Sequence, residues 1–149
     1  MITAYIDGGA RGNPGPAGYG VRLEADDGSL LEELYGGLGI ATNNVAEYNG
    51  LLAALRWAIA QGQRRLRVRS DSELLVKQMR GEYRVRHPGL LPLHQEARGL
   101  AARLDHVRYE HVRREENREA DRLSNLGMDE SEAQLAGRAA ARPGQGELF

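Results

Sequence analysis

The stretch Ile6-Asp7-Gly8-Gly9-Ala10-Arg11-Gly12-Asn13-Pro14-Gly15-Pro16 (IDGGARGNPGP) ends an apolar strand, Ile2 to Asp7, on a carboxylate and passes it into a segment made mostly of glycine and proline. Such a segment lets backbone approach something closely, so Asp7 needs a partner. Outward from it, Tyr19 to Ala25 reads as a second strand. Asp27-Gly28 is a hairpin turn signal, and Leu30 to Tyr35 gives a third strand that Gly36-Gly37 is expected to end. Three successive strands predict an antiparallel meander.

The pattern then changes period. Thr42-Asn43-Asn44 offers caps for a helix whose apolar positions Tyr48, Leu51, Leu52, Leu55, Ala58 and Ile59 recur at helical spacing until Gly62. Leu66 and Val68 alternate with Arg65, Arg67 and Arg69 in a strand ending at Ser70-Asp71, and Ser70-x-x-Glu73 is expected to box the helix Leu74 to Met79. A loop at His87-Pro88-Gly89, a helix from Pro92 to Leu104, a strand from His106 to Val112 and a helix from Asn117 to Leu126-Gly127 complete the body. The expected class is α/β, with one domain over residues 1–126 and a flexible tail over 127–149 that contains Arg142-Pro143-Gly144-Gln145-Gly146.

Composition narrows the classes of function. The 149 residues are 41% apolar, enough for one domain with a sizeable core. There is no cysteine, no charged-then-apolar leader and no run of eighteen apolar residues, so a cytoplasmic protein without disulfides or membrane spans is expected. Net charge is −1, which argues against gripping nucleic acid by bulk charge. Its distribution is uneven: 19 of the 20 basic residues are arginine, with Lys77 the exception, and the tail is net −2 against +1 for the body. Arginine supplies planar forks suited to phosphates.

Four carboxylates stand where bland residues would serve as well. Asp7 could cap loop amides, Asp71 could cap a helix, and Asp121 could simply pair with a helix dipole. Glu47 lies on the stripe through Leu51, Ala54 and Ala58, where a carboxylate loses water and needs a cation or a donor. Strand ends and helix starts are the positions from which side chains converge in α/β sheets. Carboxylates gathered there raise one another's pKa unless cations intervene, and an all-oxygen donor set favours Mg²⁺ or Mn²⁺ over Zn²⁺. Two such ions would suit hydrolysis of a phosphodiester.

Taken together, Asp7-Gly8-Gly9 with Gly12-Asn13-Pro14-Gly15-Pro16-Ala17-Gly18-Tyr19-Gly20, Thr42-Asn43-Asn44-x-x-Glu47, Ser70-Asp71-Ser72 and Arg114-x-x-Asn117-x-x-x-Asp121 closely resemble type 1 ribonuclease H, in order, over residues 1 to about 126. The resemblance implies a five-stranded mixed sheet with its first three strands antiparallel, flanked by helices. It also implies a metal-dependent endonuclease that cuts the RNA strand of RNA/DNA hybrids without regard to sequence and leaves a 5′-phosphate. Asp7, Glu47, Asp71 and Asp121 match the family's metal-binding catalytic acids, with two ions when substrate is bound. Asn13, Thr42, Asn43 and Asn44 match positions that touch the hybrid, consistent with short polar groups reading a 2′-hydroxyl.

The chain departs from many members in two places. Gly81-Glu82-Tyr83-Arg84-Val85-Arg86-His87 runs straight to Pro88 with no basic protrusion, which leaves Tyr83, Arg84 and Arg86 as candidates for holding the DNA strand and opens double-stranded RNA as a further substrate. Arg113-Arg114-Glu115-Glu116-Asn117 lacks the histidine other members carry before the last acid. Arg114 can attract a phosphate there but cannot shuttle protons, and His111 reads as a strand residue. These features place the resemblance with the compact archaeal and bacterial subgroup. The terminal Gln145-Gly146-Glu147-Leu148-Phe149 resembles a sliding-clamp docking peptide through Gln145, Leu148 and Phe149. A monomer is expected. A catalytically idle hybrid-binding module is the alternative from another class.

Overall fold

The computed structural model describes the backbone of residues 1–147 and the side chains of residues 1–139. Strands β1 (Ile2–Ala10), β2 (Gly15–Glu24) and β3 (Leu30–Ala41) form the expected antiparallel meander. Helix α1 (Asn43–Ala60) leads to β4 (Arg65–Ser70), α2 (Glu73–Met79), α3 (Leu91–Ala101), β5 (His106–His111) and α4 (Arg118–Glu147). The five strands lie in the order β3-β2-β1-β4-β5, with β4 parallel to both β1 and β5. This is the mixed five-stranded α/β sheet expected from the sequence.

Side-chain alternation explains which face is covered. Ala4, Ile6, Leu66 and Val68 point to one face and are fully buried under α1, whose Leu51, Leu55 and Ala58 meet them. The intervening residues on the other face are polar or charged, and several are tied across strands. Arg69 reaches Glu110 at 2.9 Å and the Tyr5 hydroxyl at 2.7 Å on neighbouring strands, while Arg22 pairs with Glu24 along its own strand at 2.7 Å and with Glu33 of β3 at 3.7 Å. Helix α4 covers part of this face, meeting Gly18 and Gly20 of β2, and the ion pairs lie beside it.

Several boundaries differ from the sequence expectation, and glycine is the common reason. Asp7 does not end its strand: β1 continues through Gly8, Gly9 and Ala10, so the glycine-proline loop shrinks to residues 11–14. Gly36-Gly37 does not end β3 either. A Cβ on Gly37 would lie 2.7 Å from Ser131 Oγ, so this glycine admits α4 against the sheet. Gly127 is likewise no helix stop, because a Cβ there would lie 2.5 Å from the Gly36 carbonyl oxygen. Helix α4 therefore passes through Gly127, and Ala139 to Ala141 favour its continuation through the segment read as flexible.

Residues assigned to the tail consequently pack on the body. Ser131 is fully buried, with its hydroxyl 2.9 Å from Leu38 N and 3.0 Å from Gly39 N, and Arg11 pairs with Asp129 at 2.7 Å and Glu132 at 2.5 Å. The box expected at Ser70 is corrected as well: Ser72 caps α2 by accepting from Leu75 N at 3.2 Å, and Glu73 turns to Lys77 at 2.7 Å. Helix α3 stops at Ala101, three residues before Leu104. Of the clamp-like terminus, Leu148 and Phe149, and the side chain of Gln145, lie outside the described residues. No helix among the described residues is long and apolar enough to cross a membrane.

Candidate active site

The parallel ladder between β1 and β4 ends with Ile6 beside Ser70. The next residue in each chain direction is an aspartate, so Asp7 and Asp71 leave neighbouring strands at one level. Helix α1 brings Glu47 over this end because Gly8 carries no side chain: a Cβ there would lie 2.3 Å from Glu47 N and from the Ala46 carbonyl carbon. Any larger residue at position 8 would push Glu47 away.

Asp121 arrives from the far end of the chain through a specific anchor. The Asn117 side chain, 1% exposed, donates from Nδ2 to the Ile6 carbonyl at 2.8 Å, one residue before Asp7. Asp121 N donates to the Asn117 carbonyl at 3.0 Å, which sets Asp121 one helical turn further on. Asp7, Glu47, Asp71 and Asp121 together line one cleft of about 540 Å³, with Gly8, Gly9, Asn43, Asn44, Arg11 and Arg114 around them.

Burial sets the electrostatics. Asp7 is 9% exposed, and loss of water is the main cause that pushes its carboxyl up to about 7; the Ser124 hydrogen bond opposes this, while Asp71, Asp121 and Glu47 add to it. Glu47 is also raised to about 7, by burial first and by Asp71, with the Ser72 hydroxyl working the other way. Among the described residues no three His, Asp or Glu side chains gather closely enough to hold an ion alone. The donors that line the cleft are carboxylate oxygens, a set whose chemistry suits a hard divalent cation that takes its other oxygens from water and substrate phosphates.

The remaining expected residues fall into two groups. Arg114 lies in a short 3₁₀ turn, Arg114–Glu116, exposed at the cleft wall. Asn43 and Asn44 line the cleft, whereas Asn13 and Thr42 stand beside it. Asn13 Oδ1 accepts from Asn43 N at 3.1 Å, Asn43 Oδ1 accepts from Ala10 N at 2.8 Å, and Thr42 caps α1 by accepting from Val45 N at 3.3 Å. Their oxygens thus hold the loop onto α1, which leaves the two amide Nδ2 groups as donors. Tyr83 is not with the acids. It lines a separate cleft with Arg84, His94 and Arg98, its ring under the Lys77 ammonium at 4.8 Å.

Two residues beside the acids carry no role in the sequence reading. Ser124, fully buried, touches Asp7; its i+3 spacing from Asp121 was the available signal. Arg11 lines the cleft, and its partners Asp129 and Glu132 come from the segment that the sequence reads as a tail.

A meander continued by two parallel strands, with four carboxylates lining one cleft at the end of the shared ladder, defines the ribonuclease H-like class of fold. The family model described as reverse transcriptase-like matches residues 5–127. The chain is 48% identical to the bifunctional protein Rv2228c of Mycobacterium tuberculosis over 86% of its own length but only 35% of that relative, so it spans about a third of it. The solved ribonuclease H1 of Halobacterium salinarum is 41% identical with a TM-score of 0.83, covering 86% of this chain and 97% of that one. The LC11 ribonuclease H1, solved in complex with an RNA/DNA hybrid, is 39% identical with a TM-score of 0.83 over 88% of this chain and 99% of that one. The chain belongs to the type 1 ribonuclease H family.

Proposed function

We propose that this chain hydrolyses the RNA strand of RNA/DNA hybrids, independently of base sequence, with two divalent ions, Mg²⁺ or Mn²⁺, held by Asp7, Glu47, Asp71 and Asp121. The observation that carries the reading is the convergence of these four carboxylates on one cleft, two of them with carboxyls raised to about 7. With divalent ions present, the chemistry available is activation of water and charge compensation at the departing 3′ oxygen, which leaves a 5′-phosphate on the other product.

The chain's own residues bind and orient. Gly8 and Gly9 keep the cleft floor low beside Asp7, so a nucleic-acid backbone can come near it. The Asn43 and Asn44 amides offer short donors to a 2′-hydroxyl, the group that separates RNA from DNA. Arg114 brings a fixed positive charge to a phosphate on the opposite wall. Tyr83 with Arg84 and Arg98 forms a second contact further along the duplex.

Labelled RNA/DNA hybrid, double-stranded RNA and double-stranded DNA of one sequence, each incubated with Mg²⁺ and with Mn²⁺, test the reading. Cleavage of the hybrid RNA strand at many positions, with duplex DNA untouched, is expected. Intact hybrid under both ions would overturn it, and cleavage of double-stranded RNA would broaden the substrate class. The clamp-docking role of Gln145, Leu148 and Phe149 is a separate proposal, tested by a clamp pull-down with residues 145–149 deleted; unchanged capture ends it.

A further inference from the structure

Asp7 receives one side-chain hydrogen bond among the described residues, and its donor is neither an acid of the site nor a residue of its own strand. Ser124 Oγ lies 2.7 Å from Asp7 Oδ2 and 2.8 Å from the carbonyl oxygen of Asp121. The serine is fully buried, so its one proton is shared between two acceptors of the protein, the Asp7 carboxylate and the Asp121 carbonyl, and the charged one holds it more strongly. Asp7 Oδ1 has no hydrogen-bond partner among the described residues.

The close approach has a visible cause. Gly20 pairs with Asp7 across β1 and β2, and a Cβ on Gly20 would lie 2.5 Å from Ser124 N and from Leu123 Cβ. The missing side chain at position 20 is what lets α4 descend until Ser124 reaches the carboxylate. Because the same hydroxyl sits against the Asp121 carbonyl, one small group connects the strand that carries the first acid to the helix that carries the last.

We propose that Ser124 is a positioning residue: by holding Oδ2 of Asp7, it fixes the carboxylate plane and directs Oδ1 to a divalent cation, in register with Asp121. This rests on the nuclease reading for the identity of the cation, but its direct consequence is cation affinity in the absence of nucleic acid. Hydrogen-bond partners of metal-ligating side chains typically contribute about 10–100-fold in affinity or activity. Alanine at 124 preserves helix propensity and removes only the hydroxyl.

The test uses the full chain and Mn²⁺ as probe. Calorimetric titration of the hybrid-free protein should show Mn²⁺ binding weakened about tenfold or more in Ser124→Ala, with the Mn²⁺ concentration for half-maximal hybrid cleavage rising by a similar factor. KM for hybrid at saturating Mn²⁺ should stay within about twofold, since Ser124 is buried away from substrate, and a merely structural role would not separate these parameters. Ser124→Thr, which keeps the hydroxyl, should recover most of the affinity wherever its melting temperature matches the parent. Parent-like Mn²⁺ affinity in a folded Ser124→Ala would overturn the proposal. Because the titration needs no cleavage, an inactive parent would refute the nuclease reading and leave this measurement standing.

Discussion

Asp7 and Asp71 stand side by side, each one residue beyond the last pair of a parallel ladder, Ile6 with Ser70. Among the described residues neither side chain has a cation from the protein as neighbour in the hydrogen-bond and ion-pair network, and Asp71 is among the charges that raise Asp7. The arrangement stores repulsion at the sheet end, and relief of that repulsion by divalent ions links stability to function.

This repulsion has a pH signature. Asp7 rises from 3.8 to about 7 on folding and Glu47 from 4.5 to about 7, so between these values the folded chain holds more protons than the unfolded one. The contribution of these two acids to the stability of the metal-free protein should therefore fall as pH rises from about 4 to about 7, the sign opposite to that of the ion-paired acids Glu73 and Asp105, whose carboxyls are held low by Lys77 and Arg64. Thermal melts in chelator across this window check it. Mg²⁺ added at pH 8 should restore the loss by binding the folded state, and Asp7→Asn should flatten the slope. An Asp7→Asn slope that equals the parent's over the window contradicts the account.

Gly127 distinguishes a continuous α4 from a helix that stops. Alanine gains about 1 kcal/mol over glycine in a helix interior. At position 127 its Cβ would meet the Gly36 carbonyl oxygen at 2.5 Å, and such overpacking costs about 1–3 kcal/mol or more. Gly127→Ala should lower stability in urea unfolding. Gly137→Ala, in the same helix with nothing within 4 Å of the added Cβ, should leave stability equal or raise it by up to about 1 kcal/mol. Equal responses at the two positions would speak against the packing described.

Arg114 is exposed in its 3₁₀ turn at the cleft wall, so its removal should spare the fold. A hydrogen bond to a charged group is worth about 1.5–3 kcal/mol. Arg114→Ala should accordingly reduce kcat/KM on hybrid about 10–100-fold with an unchanged melting temperature, and Arg114→Lys should recover part of the loss. Parent-like kinetics for Arg114→Ala would remove it from the site.

Much of this was readable from residue order, and the failures share a cause. Period-two and helical patterns located all five strands and all four helices, because Leu66 with Val68 and Leu51 with Leu55 bury the faces those periods imply. The acids were legible because Asp7, Asp71 and Asp121 read as strand ends or helix starts and Glu47 stands on the apolar stripe of α1, although β1 in fact runs on past Asp7. What one chain segment cannot reveal is a neighbour brought by tertiary packing. Gly36, Gly37 and Gly127 read locally as stops, yet each lacks a side chain to admit a partner element, and Ser124 and Arg11 acquire meaning only from residues more than a hundred positions away. Tyr83 shows the reverse: a plausible contact by sequence, it lies in a different cleft from the acids.

The most direct measurement is cleavage of end-labelled RNA/DNA hybrid by the parent, Asp7→Asn and Asp71→Asn, in Mg²⁺, in Mn²⁺ and in EDTA, with melting temperatures recorded beside the rates. The parent should cut only with a divalent ion, and each folded variant should lose at least about a hundredfold in rate, as expected when a group that stabilises the transition state is removed. Cleavage that persists in EDTA, or in a folded Asp7→Asn or Asp71→Asn protein at the parent's rate, contradicts the account.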